Sequence, residues 1–318
     1  MVRDRRRLLL GACALIAPGL ALGQRQKRAR IGVLVVANPE PFLGQLKQGL
    51  RTAGYAEGQN LEVLLRSAQG KPSALPALAA ELVQLKPDVI VAAQTPAAQS
   101  AKDATKSIPI VIVAGDPVGT GLVPSLARPG GNITGMSATT AVVGGKMLEL
   151  IRELLPGAKR VGVLANATDP FTRPFVEQIE APAKAVAMSV HTLRIRGSEE
   201  YESAFVEFSR QQVQAVIVQP SLPREPAAKL ALKHGLPALS PTRSFPEAGG
   251  LMSYAASLVE VNRGAAEYVD KILRGAKPSD LPMQQPTKFE FVVNLRTAKA
   301  LNLNMPRNLL LRADHIIE

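Results

Sequence analysis

Tryptophan is absent from the 318 residues, aromatic residues make up 4%, histidine occurs three times and cysteine once. Each scarcity removes a class of function. With so few rings to stack on bases, and with basic residues scattered singly instead of forming a stripe, the formal charge of +12 does not point to nucleic acid. His191, His234 and His315 do not sit beside carboxylates at metal-ligand spacing, so no metal site is expected. The chain also lacks G-x-G-x-x-G, G-x-x-x-x-G-K-[ST] and G-x-S-x-G, which removes the dinucleotide site, the phosphate loop and the nucleophile elbow. These absences argue against an enzyme, and no cofactor and no catalytic residue are expected.

The chain opens with the pattern of an export signal. Arg3, Arg5, Arg6 and Arg7 precede an apolar stretch over 8–22, and Ala21-Leu22-Gly23 supplies small residues where a signal peptidase cuts. An apolar run of about 15 residues is short for a ~30 Å hydrocarbon layer, so residues 1–23 read as a signal peptide cleaved near Gly23-Gln24. Asp4-Arg5-Arg6-Arg7-Leu8-Leu9 also resembles a twin-arginine signal with Asp in place of Ser or Thr, which leaves the Sec and Tat routes both open. Cleavage takes away four Arg and one Asp, lowering the charge from +12 to +9, and removes Cys13. A mature chain without cysteine has no disulfide, no thiolate chemistry and no cysteine-held metal.

From Arg30 onward, short β-rich apolar runs alternate with segments of helical period, the pattern of parallel strands joined by crossover helices. Strands are expected at 31–37, 61–66, 88–93 and 110–114, and helices at 42–53 and 72–85. The second half repeats the first. Arg30-Ile31-Gly32-Val33-Leu34, with Ala37-Asn38 and Pro41-Phe42 behind it, returns 130 positions later as Arg160-Val161-Gly162-Val163-Leu164, Ala165-Asn166 and Pro170-Phe171. Val89-Ile90-Val91 matches Val216-Ile217-Val218, and Ile108-Pro109-Ile110 matches Leu236-Pro237-Ala238. Three matches in register predict an α/β protein of two similar Rossmann-like lobes with parallel sheets. Lobe 1 is expected over 29–137, with a helix at 261–273 and its flanks, about 257–285, crossing back to it. Lobe 2 is expected over 138–256. Which lobe takes 286–318, with a strand at 289–294 and a short helix at 296–301, stays open.

In an open parallel sheet a ligand sits beyond the carboxyl ends of the strands, and two facing lobes make a cleft there. The strand exits name the candidate ligand-binding residues: Asn38, Phe42, Thr95, Ala97 and Asp116 on lobe 1, and Asn166, Thr168, Phe171, Ser221, Thr242, Phe245 and Tyr254 on lobe 2. Plainer readings stand beside them. Asp116-Pro117 can open a turn, Asn38 and Asn166 can form turns, and Thr95 can cap the helix whose first turn holds Pro96. Phe171 and Phe175, four apart on a helix, can pack a core. Gly130-Gly131 reads as a tight turn before the next strand.

The run Gly115-Asp116-Pro117-Val118-Gly119-Thr120-Gly121, continuing through Arg128-Pro129-Gly130-Gly131-Asn132-Ile133-Thr134-Gly135, resembles the hallmark of the ABC-transporter substrate-binding proteins of the periplasm. Thr95-Pro96-Ala97-Ala98, Leu154-Leu155-Pro156-Gly157-Ala158-Lys159-Arg160-Val161 and Pro286-Thr287-Lys288-Phe289-Glu290 are similar to further family stretches. The resemblance covers about residues 29–318. It implies a type I periplasmic-binding-protein fold and a monomer in the periplasm. It also implies an importer's permease and ATPase as partners, and contact with the membrane only through the permease. Some members bind aromatic amino acids, so the implied ligand is an amino acid, aromatic or branched, held by hinge closure. Its carboxylate would then meet helix-start amides and hydroxyls such as Thr95 or Ser221, and its ammonium Asp116. Phe42, Phe171, Phe245 or Tyr254 would stack on its side chain. A periplasmic sensor subunit that passes closure to a receptor is the alternative, and an enzyme the remote one.

Overall fold

The computed structural model describes residues 28–139 and 141–318; the expected signal peptide and Cys13 lie outside the described residues. The first half runs β1 (Ala29–Val35), α1 (Phe42–Thr52), β2 (Leu61–Ser67), α2 (Leu75–Gln84), β3 (Val89–Ala93), α3 (Thr95–Ala104), β4 (Ile110–Gly115) and β5 (Ile133–Thr139). Pro72–Ala74 forms a separate 3-10 turn ahead of α2, because Pro76 then takes one of the first helical positions, where no backbone donor is needed. The second half runs α4 (Ala141–Leu154), β6 (Arg160–Asn166), α5 (Thr172–Ala185), β7 (Ser189–Ile195), α6 (Tyr201–Arg210), β8 (Ala215–Val218), α7 (Arg224–Lys233), β9 (Ala238–Ser240), α8 (Ser244–Glu247) and β10 (Met252–Ala256). The chain closes with α9 (Leu258–Leu273), β11 (Phe289–Asn294), α10 (Leu295–Ala300), α11 (Arg307–Arg312) and β12 (His315–Ile317).

Two sheets result. The first has the order β2-β1-β3-β4-β5 and is parallel throughout; the second has the order β12-β11-β10-β9-β8-β6-β7, parallel except where β11 runs against β10. Read from β7 inward, the five strands β7-β6-β8-β9-β10 repeat the order of the first sheet. The repeated sequence makes repeated bonds. Arg30 N–H donates to Asp88 Oδ2 while Asp88 N–H returns to the Arg30 carbonyl, both at 2.8 Å. In the second sheet Arg160 N–H donates to Gln214 Oε1 at 3.1 Å and Gln214 N–H to the Arg160 carbonyl at 3.0 Å. Ile90 N–H to the Pro109 carbonyl and Val216 N–H to the Pro237 carbonyl are a matched pair at 2.9 Å.

Each sheet buries both faces, which explains strands that read as unbroken apolar runs. In the first sheet one face packs against α1 and α9 through Leu43, Leu46, Leu50, Val261, Ala265 and Val269, and the other against α2 and α3 through Leu75, Leu82, Ala97 and Ala101. In the second sheet α4 and α5 cover one face, and α6, α7 and α8 the other. Helix α9 begins at Leu258, earlier than the expected 261, and packs on the first sheet although it follows β10 of the second. β11 and β12 join the second sheet. The chain therefore passes between sheets three times: after β5, after β10 and before β11.

Gly130 and Gly131 both take left-handed conformations, with φ of +66° and +58°, in the turn that enters β5. Gly135 inside β5 is tighter still. Its φ is +135°, and a Cβ there would lie 2.2 Å from the Ile112 carbonyl oxygen of β4. The substitution Gly135→Ala is expected to cost about 2–4 kcal/mol, through a left-handed conformation that a side chain resists and a backbone clash that the sheet cannot relieve. Urea denaturation of the two proteins measures it; a loss below about 1 kcal/mol would mean that β5 tolerates a side chain there.

Candidate functional site

Because the first sheet is parallel throughout and the second is parallel from β7 to β10, these strands deliver their exits to one edge of each sheet. On the first sheet these exits are Asn38 after β1, Gln94-Thr95 after β3 and Gly115-Asp116 after β4. On the second they are the loops 166–171 after β6, 219–223 after β8 and 241–243 after β9. The two edges touch. Gln178 Nε2 on α5 donates to Asp116 Oδ2 at 3.1 Å, and the Arg173 guanidinium reaches the Gly119 carbonyl at 3.4 Å. The Phe171 ring lies over Gly115, so close that a Cβ there would sit 2.8 Å from two ring carbons.

The first edge is backbone-strained. Gln94 combines φ +73° with ψ 152°, a region that side-chain-bearing residues rarely enter, and Asp116 has φ +37°. The β4–β5 register also shifts at Ala114/Gly115, which re-aims the exit of β4. Thr95 is buried and is the first residue of α3, not its cap; its hydroxyl donates to the Gly115 carbonyl at 3.4 Å and ties the β3 and β4 exits together. Asp116 is anchored twice: Oδ1 accepts from Gly119 N–H at 2.8 Å, and Oδ2 from Gln178.

The second edge holds a buried polar network at the start of α5. Asp169 Oδ1 accepts from Phe171 N–H and Oδ2 from Gln219 Nε2, both at 2.9 Å, and the Ser221 hydroxyl is near enough to act on the same carboxylate. Gln219 Oε1 accepts from Asn166 N–H and from the Thr172 hydroxyl, both at 2.8 Å. Asn166 Oδ1 holds Thr168 through its N–H at 3.0 Å and its hydroxyl at 2.9 Å, and Asn166 Nδ2 lies 3.5 Å from the Ser221 oxygen. Among the described residues no cation bonds Asp169. Burial pushes its carboxyl above the ordinary value, against the pull of the Ser221, Phe171 and Gln219 donors.

The other expected residues fall elsewhere. Asn38 is exposed and its Oδ1 accepts from Glu40 N–H at 3.0 Å, a turn role. Phe42 packs on the core beneath α1. Ala97 and Phe245 are wholly buried, so their side chains fill the cores under α3 and α8 and not the crevice. Phe171 serves both roles, packing 5.7 Å from Phe175 while meeting Gly115. Thr242 Oγ1 lies 3.1 Å from the Ser244 hydroxyl, and Tyr254 stacks on Phe289 with centroids 5.5 Å apart. The reading from sequence missed Asp169, Gln178 and Gln219. Asp169-Pro170 after a strand repeats Asp116-Pro117 and was a usable signal; the two glutamines carried none.

At the crossings between sheets, Glu260 in the first turn of α9 accepts from Thr287 N–H and Lys288 N–H at 3.1 and 2.8 Å and from the Thr287 hydroxyl at 2.6 Å. Ser257 N–H donates to the Lys288 carbonyl at 2.9 Å. Two of the three crossing segments are thus bonded to each other. Among the described residues no cluster of His, Cys, Asp and Glu is arranged to hold a metal, and no helix is long and apolar enough to cross a membrane.

The buried Asp169 has a consequence for stability. A folded-state pKa above the unfolded one means that the folded chain holds its proton longer, so stability falls as pH rises through that window and is level above it. Relative to Asp169→Asn, which does not titrate, the wild type is expected to lose stability from about pH 4 upward. Urea midpoints of both proteins between about pH 4 and pH 7 test this; a difference that does not change with pH overturns it.

Comparison with known proteins bears on what this edge-to-edge crevice serves. A family model described as ABC transporter substrate binding protein matches residues 41–317. A tyrosine-binding protein of Clostridioides difficile (strain R20291) is 30% identical over 304 residues, which is 92% of this chain and 84% of that protein. The ABC domain of Streptococcus pneumonia in complex with L-Trp is 26% identical and gives a TM-score of 0.84, covering 91% of this chain and 100% of that one. The ligand-free, open structure of a substrate binding protein with adhesive properties from Clostridium difficile is also 26% identical but gives 0.66, covering 91% and 99%. The fold is that of the type I periplasmic binding proteins. With two sheets of repeated order meeting at their strand exits, and a family match that runs through both, the chain belongs to the ABC transporter substrate binding proteins.

Proposed function

We propose that the chain captures a free amino acid with an aromatic side chain outside the cytoplasm and presents it to the permease and ATPase of an importer. Residues 1–23 serve as its export signal, the mature chain works as a monomer, and it carries out no chemical step. The observation that carries the reading is the contact between the two strand-exit edges: Phe171 on Gly115, and Gln178 on Asp116. A ligand that bridges both edges gains all its contacts only when they are together, so it shifts a hinge equilibrium toward that state. The match to a tyrosine-binding protein and to an L-Trp complex supports the ligand class. Closer likeness to the L-Trp complex than to an open structure of equal identity supports closure as the motion.

On this reading Thr95 and Asp116 of lobe 1 and the Ser221 side of lobe 2 frame the ligand's polar end. Thr95→Ala and Asp116→Ala are each expected to weaken binding of L-tyrosine or L-tryptophan at least about tenfold, read by titration calorimetry. Unchanged affinity in both removes them from the site. If neither amino acid binds the wild type, the ligand class is wrong.

Gly115 tests closure separately from contact. All three of the nearest atoms that a Cβ there would meet belong to Phe171 of the opposite lobe. Gly115→Ala therefore meets its tightest resistance when the edges meet. Affinity for L-tyrosine is expected to fall about tenfold or more, with a ligand-free melting temperature close to that of the wild type. An affinity equal to the wild type's would show that the ligand-bound state does not bring Phe171 onto Gly115.

A further inference from the structure

Arg224 begins α7, directly after the loop that leaves β8, and so stands at the carboxyl edge of the second sheet. Its Nε is shut off from solvent and has no hydrogen-bond partner among the described residues. Buried polar groups nearly always have partners, so an Nε without one, in a side chain that is otherwise only partly buried, is an exception. The neighbouring acids do not supply it. Arg243, in the exit of β9, takes both: its Nε bonds Glu247 Oε1 at 3.3 Å and its Nη1 bonds Glu290 Oε2 at 2.9 Å. Glu247 on α8 acts on Arg224 only through its field, while burial draws the guanidinium pKa below its ordinary value.

The surroundings hold Arg224 in place without satisfying it. Tyr201 at the start of α6 donates its hydroxyl to the Pro223 carbonyl at 3.2 Å, and Leu222 N–H donates to the Gln219 carbonyl at 3.1 Å, which fixes the loop ahead of Arg224. Gln219 is itself locked in the network of Asp169. Ser240, the last residue of β9 and buried, likewise has a hydroxyl without a partner. A guanidinium whose terminal nitrogens bond no group among the described residues, next to a strand exit already lined by Ser221, fits a planar anion.

We infer that Arg224 anchors the carboxylate of the bound amino acid, so that lobe 2 holds the ligand's anionic end and selects against amines that lack it. This rests on the amino-acid reading above and adds the residue that enforces it. It shifts the carboxylate away from Thr95 and leaves the lobe 1 edge, with Asp116, to the ammonium.

Calorimetry on the mature wild type, Arg224→Gln and Arg224→Lys, each with L-tyrosine and with tyramine, tests it. The wild type is expected to prefer L-tyrosine over tyramine by about a hundredfold, and Arg224→Gln to lose most of that preference by weakening for L-tyrosine alone. Arg224→Lys keeps the charge but not the fork and is expected to fall between them. Equal losses for both ligands would make Arg224 a structural residue, and no loss would remove it from the site; either overturns the inference. Should Arg224→Gln fail to fold, the same pair of ligands on Arg224→Lys decides by the same criterion. A wild type that binds neither L-tyrosine nor L-tryptophan overturns the amino-acid reading itself, a result distinct from a wild type that binds them and an Arg224 variant that binds them equally well.

Discussion

Parallel pairing of the central strands is the constraint from which the rest of the molecule follows. Once β1, β3 and β4, and in turn β6, β8 and β9, run the same way, the crossovers between them run through helices and these six strands end on one edge of their sheet. The pairing is held by backbone bonds that the two halves share, down to the exchange between Arg30 and Asp88 and its counterpart between Arg160 and Gln214. With both faces of each sheet covered by helices, the only parts of the strands left to meet a ligand are their exits.

What joins the halves is as consequential as what repeats. Three passages between the sheets make the halves interdependent: α9 completes the core of the first sheet after the chain has built the second, and β11 then returns to widen the second. Glu260 binds two of these passages together through Thr287 and Lys288. A joint made of three chain passages suits the rotation of one lobe against the other that the proposed ligand clamp requires. The glycine at 115 matters for the same reason, because only a residue without a side chain lets Phe171 approach the exit of β4.

The polar groups of the two edges differ in what holds them. Asp116 and Asp169 are each anchored by backbone amides and amide side chains, and among the described residues no cation bonds Asp169. Arg224 is the reverse case, a buried donor without an acceptor among the described residues. On the proposed reading the second edge, which engages Asp169 internally and leaves Arg224 without a protein partner, takes the anionic end of the ligand, and this distinguishes the two lobes despite their common plan.

Much of this was legible before folding. The alternation of apolar runs and helical periods, and the three matches 130 or so positions apart, determined two α/β lobes of one topology, since strand and helix periods are local properties and a repeated pattern repeats its pairings. Strand exits followed too, and Thr95, Asp116, Asn166 and Ser221 lie at them. Depth and contact were not legible. Phe245 and Phe171 look alike as strand-exit aromatics, yet one fills a core and the other meets the opposite lobe. Gln178 and Gln219 carry no sequence mark, and whether Arg224 has a partner depends on where Glu247 and Glu290 come to rest after α8 and β11 have packed. Those are questions of which distant side chains meet, and only the tertiary structure brings them within reach of one another.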